Sequence, residues 1–217
     1  VMVTVVSLFV GARLGHCLFY EPDYYLRHPL EMLLPVRWEA DGSAVFVGYR
    51  GMASHGAAFA LVVSFVVYAW RTRQGMLSLL DLLALVLPLG ACFIRLGNLA
   101  NSEILGLPTT VPWAFVFGRV DCLPRHPAQL YEALAYLAVF VLNMVVYRRL
   151  GLTRRGLYWG LFLFLVFSAR FFVEFAKERQ VAFEEDFVLS VGQWLSIPFI
   201  LLGAVFLWNA CRFSVRR

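Results

Sequence analysis

The sequence predicts an all-α polytopic integral membrane protein with six transmembrane helices, an interfacial arm and a small head outside the bilayer. Three observations carry this. The 217 residues are 61% hydrophobic and only 15% charged, whereas a soluble domain carries roughly 25% charged residues. The apolar residues gather into six long runs, giving a mean hydropathy of +0.73. The connections after the second and fourth runs carry arginines and no acid, while the acids gather in the alternate connections.

The runs are Val1–Tyr20, Gly56–Trp70, Ser78–Ile94, Leu130–Tyr147, Leu157–Ala176 and Val188–Trp208. Most approach the ~20 residues that cross the hydrocarbon layer, while Gly56–Trp70 is short and must borrow flanking residues. Backbone groups in lipid must bond within their own segment, so each run reads as a helix. In the first run Gly11 and Gly15 form a small-xxx-small surface suited to a helix crossing. Arg71 and Arg73 follow the second run, Arg148, Arg149, Arg154 and Arg155 follow the fourth, and Arg212, Arg216 and Arg217 close the chain. The other connections hold Glu21, Asp23, Glu31, Glu39, Asp41, Asp121, Glu184, Glu185 and Asp186. The positive-inside rule then places the arginine loops and the C-terminus in the cytoplasm. Residues 21–54 become an outer-face interfacial arm and residues 99–129 a small outer head, both parts of one membrane-embedded domain over 1–217. Prolines and alternating apolar residues between Pro108 and Pro127 suggest short strands in the head.

Several function classes drop out. A net charge of +5 suits orientation and contact with anionic membrane lipids, and no nucleic acid is expected as partner. Cys17, Cys92, Cys122 and Cys211 are scattered without CxxC or His–Cys spacing, which argues against a zinc site or a disulfide framework. No serine elbow, HExxH or Asp-rich metal motif occurs, so no cofactor or metal is expected. The first apolar run starts at Val1 without a cleavable signal pattern. That points to a truncated N-terminus or a valine-coded start.

The chemistry lies in polar groups at the outer ends of the runs. Arg95, Asn98, Asn101, Glu103 and Gly106 follow the third run, and Arg95 and Asn98 share a face if helical. Gly97 and Gly106 leave room for close backbone approach. Arg170 and Glu174 stand four apart and can pair. His55 opens the second run; His126, Gln129 and Glu132 stand at the mouth of the fourth. Taken singly, each has an ordinary reading as a structural ion pair or a headgroup contact. Together they put two arginines, carboxylates and a histidine at one depth, where a charge is costly unless paired or facing a wet cavity. Arginine forks fit phosphate oxygens. Amides bind hydroxyls, and histidine accepts a proton near neutral pH. The residues alone permit metal-free group transfer from an anionic phospholipid. A transporter or flippase for an anionic lipid or solute is the alternative, although it predicts functional polar groups on both faces and no internal repeat supports it.

The stretch Arg95-x-Gly97-Asn98-x-x-Asn101-x-Glu103-x-x-Gly106 resembles the signature of the bacterial phosphatidylglycerol–prolipoprotein diacylglyceryl transferases. The likeness extends to Gly11-Ala12-Arg13-Leu14-Gly15, His28-Pro29-Leu30-Glu31, Ala53-Ser54-His55-Gly56, Arg125-His126-Pro127-Ala128-Gln129-Leu130-Tyr131-Glu132 and Arg170-Phe171-Phe172-Val173-Glu174. It covers nearly the whole chain in order. The resemblance implies a seven-helix inner-membrane enzyme whose first helix is missing from this chain. Its substrates would be phosphatidylglycerol and a preprolipoprotein with a lipobox cysteine; its products, a thioether-linked lipid and glycerol 1-phosphate. It further implies that His55, Arg95, Asn98, Glu103, Gly106, Arg170 and Glu174 matter for the reaction. Arg95 and Arg170 are assigned to the phosphate, Glu103 and Glu174 to holding them, and Asn98 to a headgroup hydroxyl. Asn101, His126 and Gln129 are further candidates for substrate contact. The thiol loses its proton to His55, or an arginine lowers its pKa. The chain departs from the family pattern at Ala57 and Ser102, where glycine is usual, and at Val166, where many members carry tyrosine.

Overall fold

A computed structural model of the chain describes residues 2–39, 43–46, 48, 53–178 and 189–212. Asp41, Gly51, Met52, Glu184 to Asp186, Arg216 and Arg217 lie outside the described residues. Five described helices are long and apolar enough to cross a membrane: α1 (Met2–Phe19), α5 (Met76–Asn101), α6 (Ala128–Leu150), α7 (Leu157–Val173, extended by a 3-10 turn to Ala176) and α8 (Val191–Arg212). The apolar part of α4 (Ser54–Thr72) is shorter, as its run was in the sequence. The all-α polytopic architecture is the expected one. The helix α5 extends past the apolar run and through the polar stretch to Asn101, so Arg95 and Asn98 are helical.

The described chain divides into two compact units, Val1–Met76 and Leu77–Arg217. In the first, α1 crosses α4 over glycines. A Cβ on Gly56 would lie 2.2 Å from the Gly11 carbonyl oxygen and 2.6 Å from the Gly15 Cα, so the small-residue surface is used as expected. The backbone N–H of Ala53 donates to the Ala12 carbonyl at 2.9 Å. Two short helices, α2 (Pro22–Tyr25) and α3 (Pro29–Leu33), each begin on a proline, whose fixed φ suits the first helical position. They hang on α1 through Arg13, which is 6% exposed. Its guanidinium donates to the carbonyls of Glu31 (2.7 Å) and Met32 (3.1 Å) and stands 4.9 Å from the Tyr25 ring centre. An antiparallel hairpin follows, β1 (Val36–Trp38) with β2 (Ala44–Phe46).

The second unit holds α5 to α8. Gly203 lets α8 touch α7, since a Cβ there would sit 2.5 Å from the Phe164 backbone nitrogen. Two apolar clusters fill the helix interfaces. One joins Ala84 and Leu85 to Leu157, Tyr158 and Ala210; the other joins Cys92 to Ala133, Tyr136, Val139 and Val166. Asp81, an acid inside a span, is 2% exposed and accepts the backbone N–H groups of Gly156 (2.5 Å) and Trp159 (3.0 Å). It thereby satisfies donors that the first turn of α7 leaves open. Between α5 and α6 the chain forms β3 (Phe115–Val116) and β4 (Pro124–Arg125), the short strands that the prolines suggested. Single bridges join Gly106 to Lys177 and Pro108 to Arg125.

Candidate active site

Everything at the C-terminal end of α5 follows from how that helix stops. Ser102 takes φ +60°, its N–H bonds the Leu99 carbonyl at 3.2 Å, and the Glu103 N–H bonds the Asn98 carbonyl at 2.9 Å. This pair of bonds around a left-handed residue is a Schellman cap. It turns the chain back so that the Glu103 carboxylate meets the helix it has just left. Asn98 Nδ2 donates to Glu103 Oε2 at 2.7 Å, and Asn101 Nδ2 donates to Oε1 at 3.4 Å. Asn98 in turn accepts Arg95 at 3.1 Å, so the three-residue spacing does put both on one face.

The charge balance of this end is set by Glu132 in the second turn of α6. It is fully buried; Arg95 Nε lies 2.7 Å from its Oε2 and Lys177 Nζ 2.9 Å from its Oε1. Lys177, 6% exposed, also binds Glu174 Oε2 at 3.1 Å. The Tyr136 hydroxyl interacts with Arg95, and Arg170 acts on it electrostatically. Among the described residues Arg170 makes no ion pair and no hydrogen bond, although it is partly buried.

This partnering corrects several expectations. Glu174 pairs with Lys177, not Arg170, because α7 ends at Val173 and the following 3-10 turn brings position 177 round to it. Arg95 is held by Glu132 and Asn98 rather than by Glu103. Gly97 has open space where a Cβ would go, so no close approach requires it. Gly106 is the reverse case, for a Cβ there would fall 2.1 Å from the His126 carbonyl oxygen and 2.9 Å from that of Ala176.

Gln129 is fully buried and donates to the Glu103 carbonyl at 2.5 Å, fixing the turn from behind. His126 Nδ1 lies 3.1 Å from the Tyr131 hydroxyl, which accepts the Trp113 indole N–H at 2.8 Å. Neighbouring Arg125 is 6% exposed and binds Asp121 at 2.6 Å, Glu178 at 3.0 Å and the Gly106 carbonyl at 3.1 Å. The Arg125 hydrogen bond holds the Asp121 carboxyl below its ordinary range. His55 is the second residue of α4, and its side chain lies outside the described residues. Among the described residues no group of three or more His, Cys, Asp or Glu could hold a metal ion.

A family model described as prolipoprotein diacylglyceryl transferase matches residues 1–209. The chain belongs to this family. A phosphatidylglycerol–prolipoprotein diacylglyceryl transferase of Bacteroides fragilis is 51% identical over 203 residues, covering 93% of this chain and 73% of the relative. Proteins of the same name from Chloroherpeton thalassium and Tolumonas auensis are each 45% identical, over 96% and 97% of this chain and 74% and 78% of theirs.

For a diacylglyceryl transferase chain, the two departures at the site now have a structural meaning. Ser102 occupies the left-handed cap position that glycine adopts without strain. Val166 is 6% exposed and packs in the apolar cluster with Tyr136. Sequence reasoning passed over Tyr136 and Lys177. Their one signal was a hydroxyl and a cation inside otherwise apolar or loop sequence, with nothing local to say what they face.

Proposed function

We propose that the chain transfers the diacylglyceryl group of phosphatidylglycerol to the thiol of a lipobox cysteine in a preprolipoprotein. A C–S bond forms as the C–O bond to phosphate breaks, and glycerol 1-phosphate leaves. The thiol gives up its proton, and the departing phosphate gains negative charge as the diester becomes a monoester. A cation placed there stabilises the transition state more than the ground state.

The observation that carries the reading is Arg170, a cation at membrane depth left without an ion pair or hydrogen bond among the described residues. Leaving such a charge unmatched costs several kcal/mol unless it faces a wet cavity or an anion. An anionic lipid phosphate meets that need. Arg95, held by Glu132 and Asn98, is the second cation assigned to the phosphate. Asn98, Asn101 and Glu103 form the adjoining polar rim that takes headgroup hydroxyls. His55 accepts the thiol proton, since a thiol with an unperturbed pKa of about 8.5 is mostly protonated at neutral pH. The arginine loops put the C-terminus in the cytoplasm and this site toward the outer face of a bacterial inner membrane. The transporter reading finds no support in the family match.

The test is transfer itself. Purified protein in phosphatidylglycerol vesicles is mixed with a lipobox peptide, and the peptide mass and released glycerol phosphate are measured. The expected result is one diacylglyceryl group per peptide and none on a Cys→Ser peptide. Phosphatidylglycerol flipping without thioether formation would overturn it in favour of transport.

A further inference from the structure

The carboxylate that organises this end of the second unit is not one of the residues assigned to the reaction. Glu132 is fully buried, yet both its oxygens face cations from different elements: Arg95 on α5 and Lys177 after α7. Lys177, itself 6% exposed, reaches on to Glu174 at 3.1 Å. The order Arg95–Glu132–Lys177–Glu174 is thus a continuous chain of alternating charge. Arg170 stands outside it.

We propose that Glu132 and Lys177 are positioning residues for the transfer: Glu132 holds Arg95, and Lys177 holds the Glu174 carboxylate off Arg170. The proposal rests on the function proposed above. Glu132 ion-pairs with the Arg95 guanidinium at Nε, 2.7 Å away but without a directed hydrogen bond to that oxygen, while Asn98 accepts from Nη1, so the arginine is held from two sides. Lys177 balances the second charge of the pair and keeps Glu174 away from Arg170. With Lys177 absent, Glu174 is free to turn to Arg170, four residues back in the last turn of α7. That contact would neutralise the arginine assigned to the phosphate. Lys177 therefore acts on the site by preventing an internal ion pair, a role that neither touches substrate nor serves the fold alone.

The role separates from stability through a kcat-against-KM split. Transfer from phosphatidylglycerol to the lipobox peptide is measured for wild type, Glu132→Gln, Lys177→Met, Lys177→Arg, Glu174→Gln and the double variant Lys177→Met/Glu174→Gln, alongside thermal unfolding in the same detergent. Glu132→Gln is expected to lower kcat about 100-fold, the loss that accompanies a misplacement near 1 Å at a reacting centre. Lys177→Met is expected to raise KM for phosphatidylglycerol about tenfold, because Glu174 then competes for Arg170. Lys177→Arg is expected to recover most of that loss. Removing the competing carboxylate in the double variant is expected to bring KM below that of Lys177→Met, to the value of Glu174→Gln measured alone. Variants that unfold earlier but keep wild-type kcat and KM per folded molecule would overturn the proposal, as would a double variant with KM no lower than Lys177→Met alone. Should Glu132→Gln fail to fold, the Lys177 series still decides. Failure of the wild type to transfer would instead strike the proposed function.

Discussion

Ser102 is a small residue with a large geometrical duty. It holds φ +60° so that Glu103 can turn back onto Asn98. A non-glycine residue in that region carries a strain of roughly 1–2 kcal/mol. Ser102→Gly is therefore expected to raise stability by about 1 kcal/mol while leaving the cap intact, read as a higher unfolding midpoint in detergent. Gly106→Ala should go the other way. Its Cβ would meet two backbone carbonyls below van der Waals contact, and backbone cannot step aside as a flexible side chain does. A loss of about 3 kcal/mol or failure to fold is expected, by the same unfolding measurement. At this scale the sequence was informative where partners are near in the chain. The Arg95–Asn98 bond follows from a spacing of three on one helix face. Lys177 could not be placed so, because its partner Glu132 lies on another helix and no local pattern encodes that distance.

Two elements are held by single acids. Asp81 caps α7 from within α5, and Asp81→Ala is expected to cost about 2 kcal/mol because the freed N–H groups are buried with no other acceptor. The same unfolding assay reads it. Asp121 binds the buried Arg125, which in turn ties the loop between α5 and α6 to Glu178. Its carboxyl is held below the ordinary value of 3.8. A depressed folded pKa contributes stability above the unfolded pKa and loses it as pH falls through the folded one. The loop is therefore expected to hold down to pH 3.8 and to loosen below it. Protease cleavage between residues 107 and 124 as a function of pH would show this, with Asp121→Asn removing the step. The helices themselves were legible because runs of apolar residues have one viable structure in lipid. The end of α5 was not. The polar stretch marks where the apolar run stops at Ile94 but not where the helix stops, because its end is set by the cap at Ser102.

For the whole molecule, the arginine distribution predicts an orientation that two exposed cysteines can report. Cys122 lies between β3 and β4, and Cys211 lies in the last turn of α8. A membrane-impermeant maleimide added to spheroplasts is expected to label Cys122 and spare Cys211 until the membrane is opened. The reverse pattern would invert the topology and move the candidate site to the cytoplasmic face. Family membership was legible in the order of the motifs, and the match over residues 1–209 agrees with it. The roles within the site were less so, since the two arginines look alike in sequence and differ only in their partners. The central claim is that Arg170, without an ion pair among the described residues, receives the phosphate of an anionic lipid. The most direct measurement is binding of phosphatidylglycerol, against phosphatidylcholine, to wild type and Arg170→Gln in the absence of peptide. Preference for phosphatidylglycerol that falls about tenfold or more in the variant is expected, the order lost with one charge-assisted contact. An undiminished preference in Arg170→Gln would contradict it.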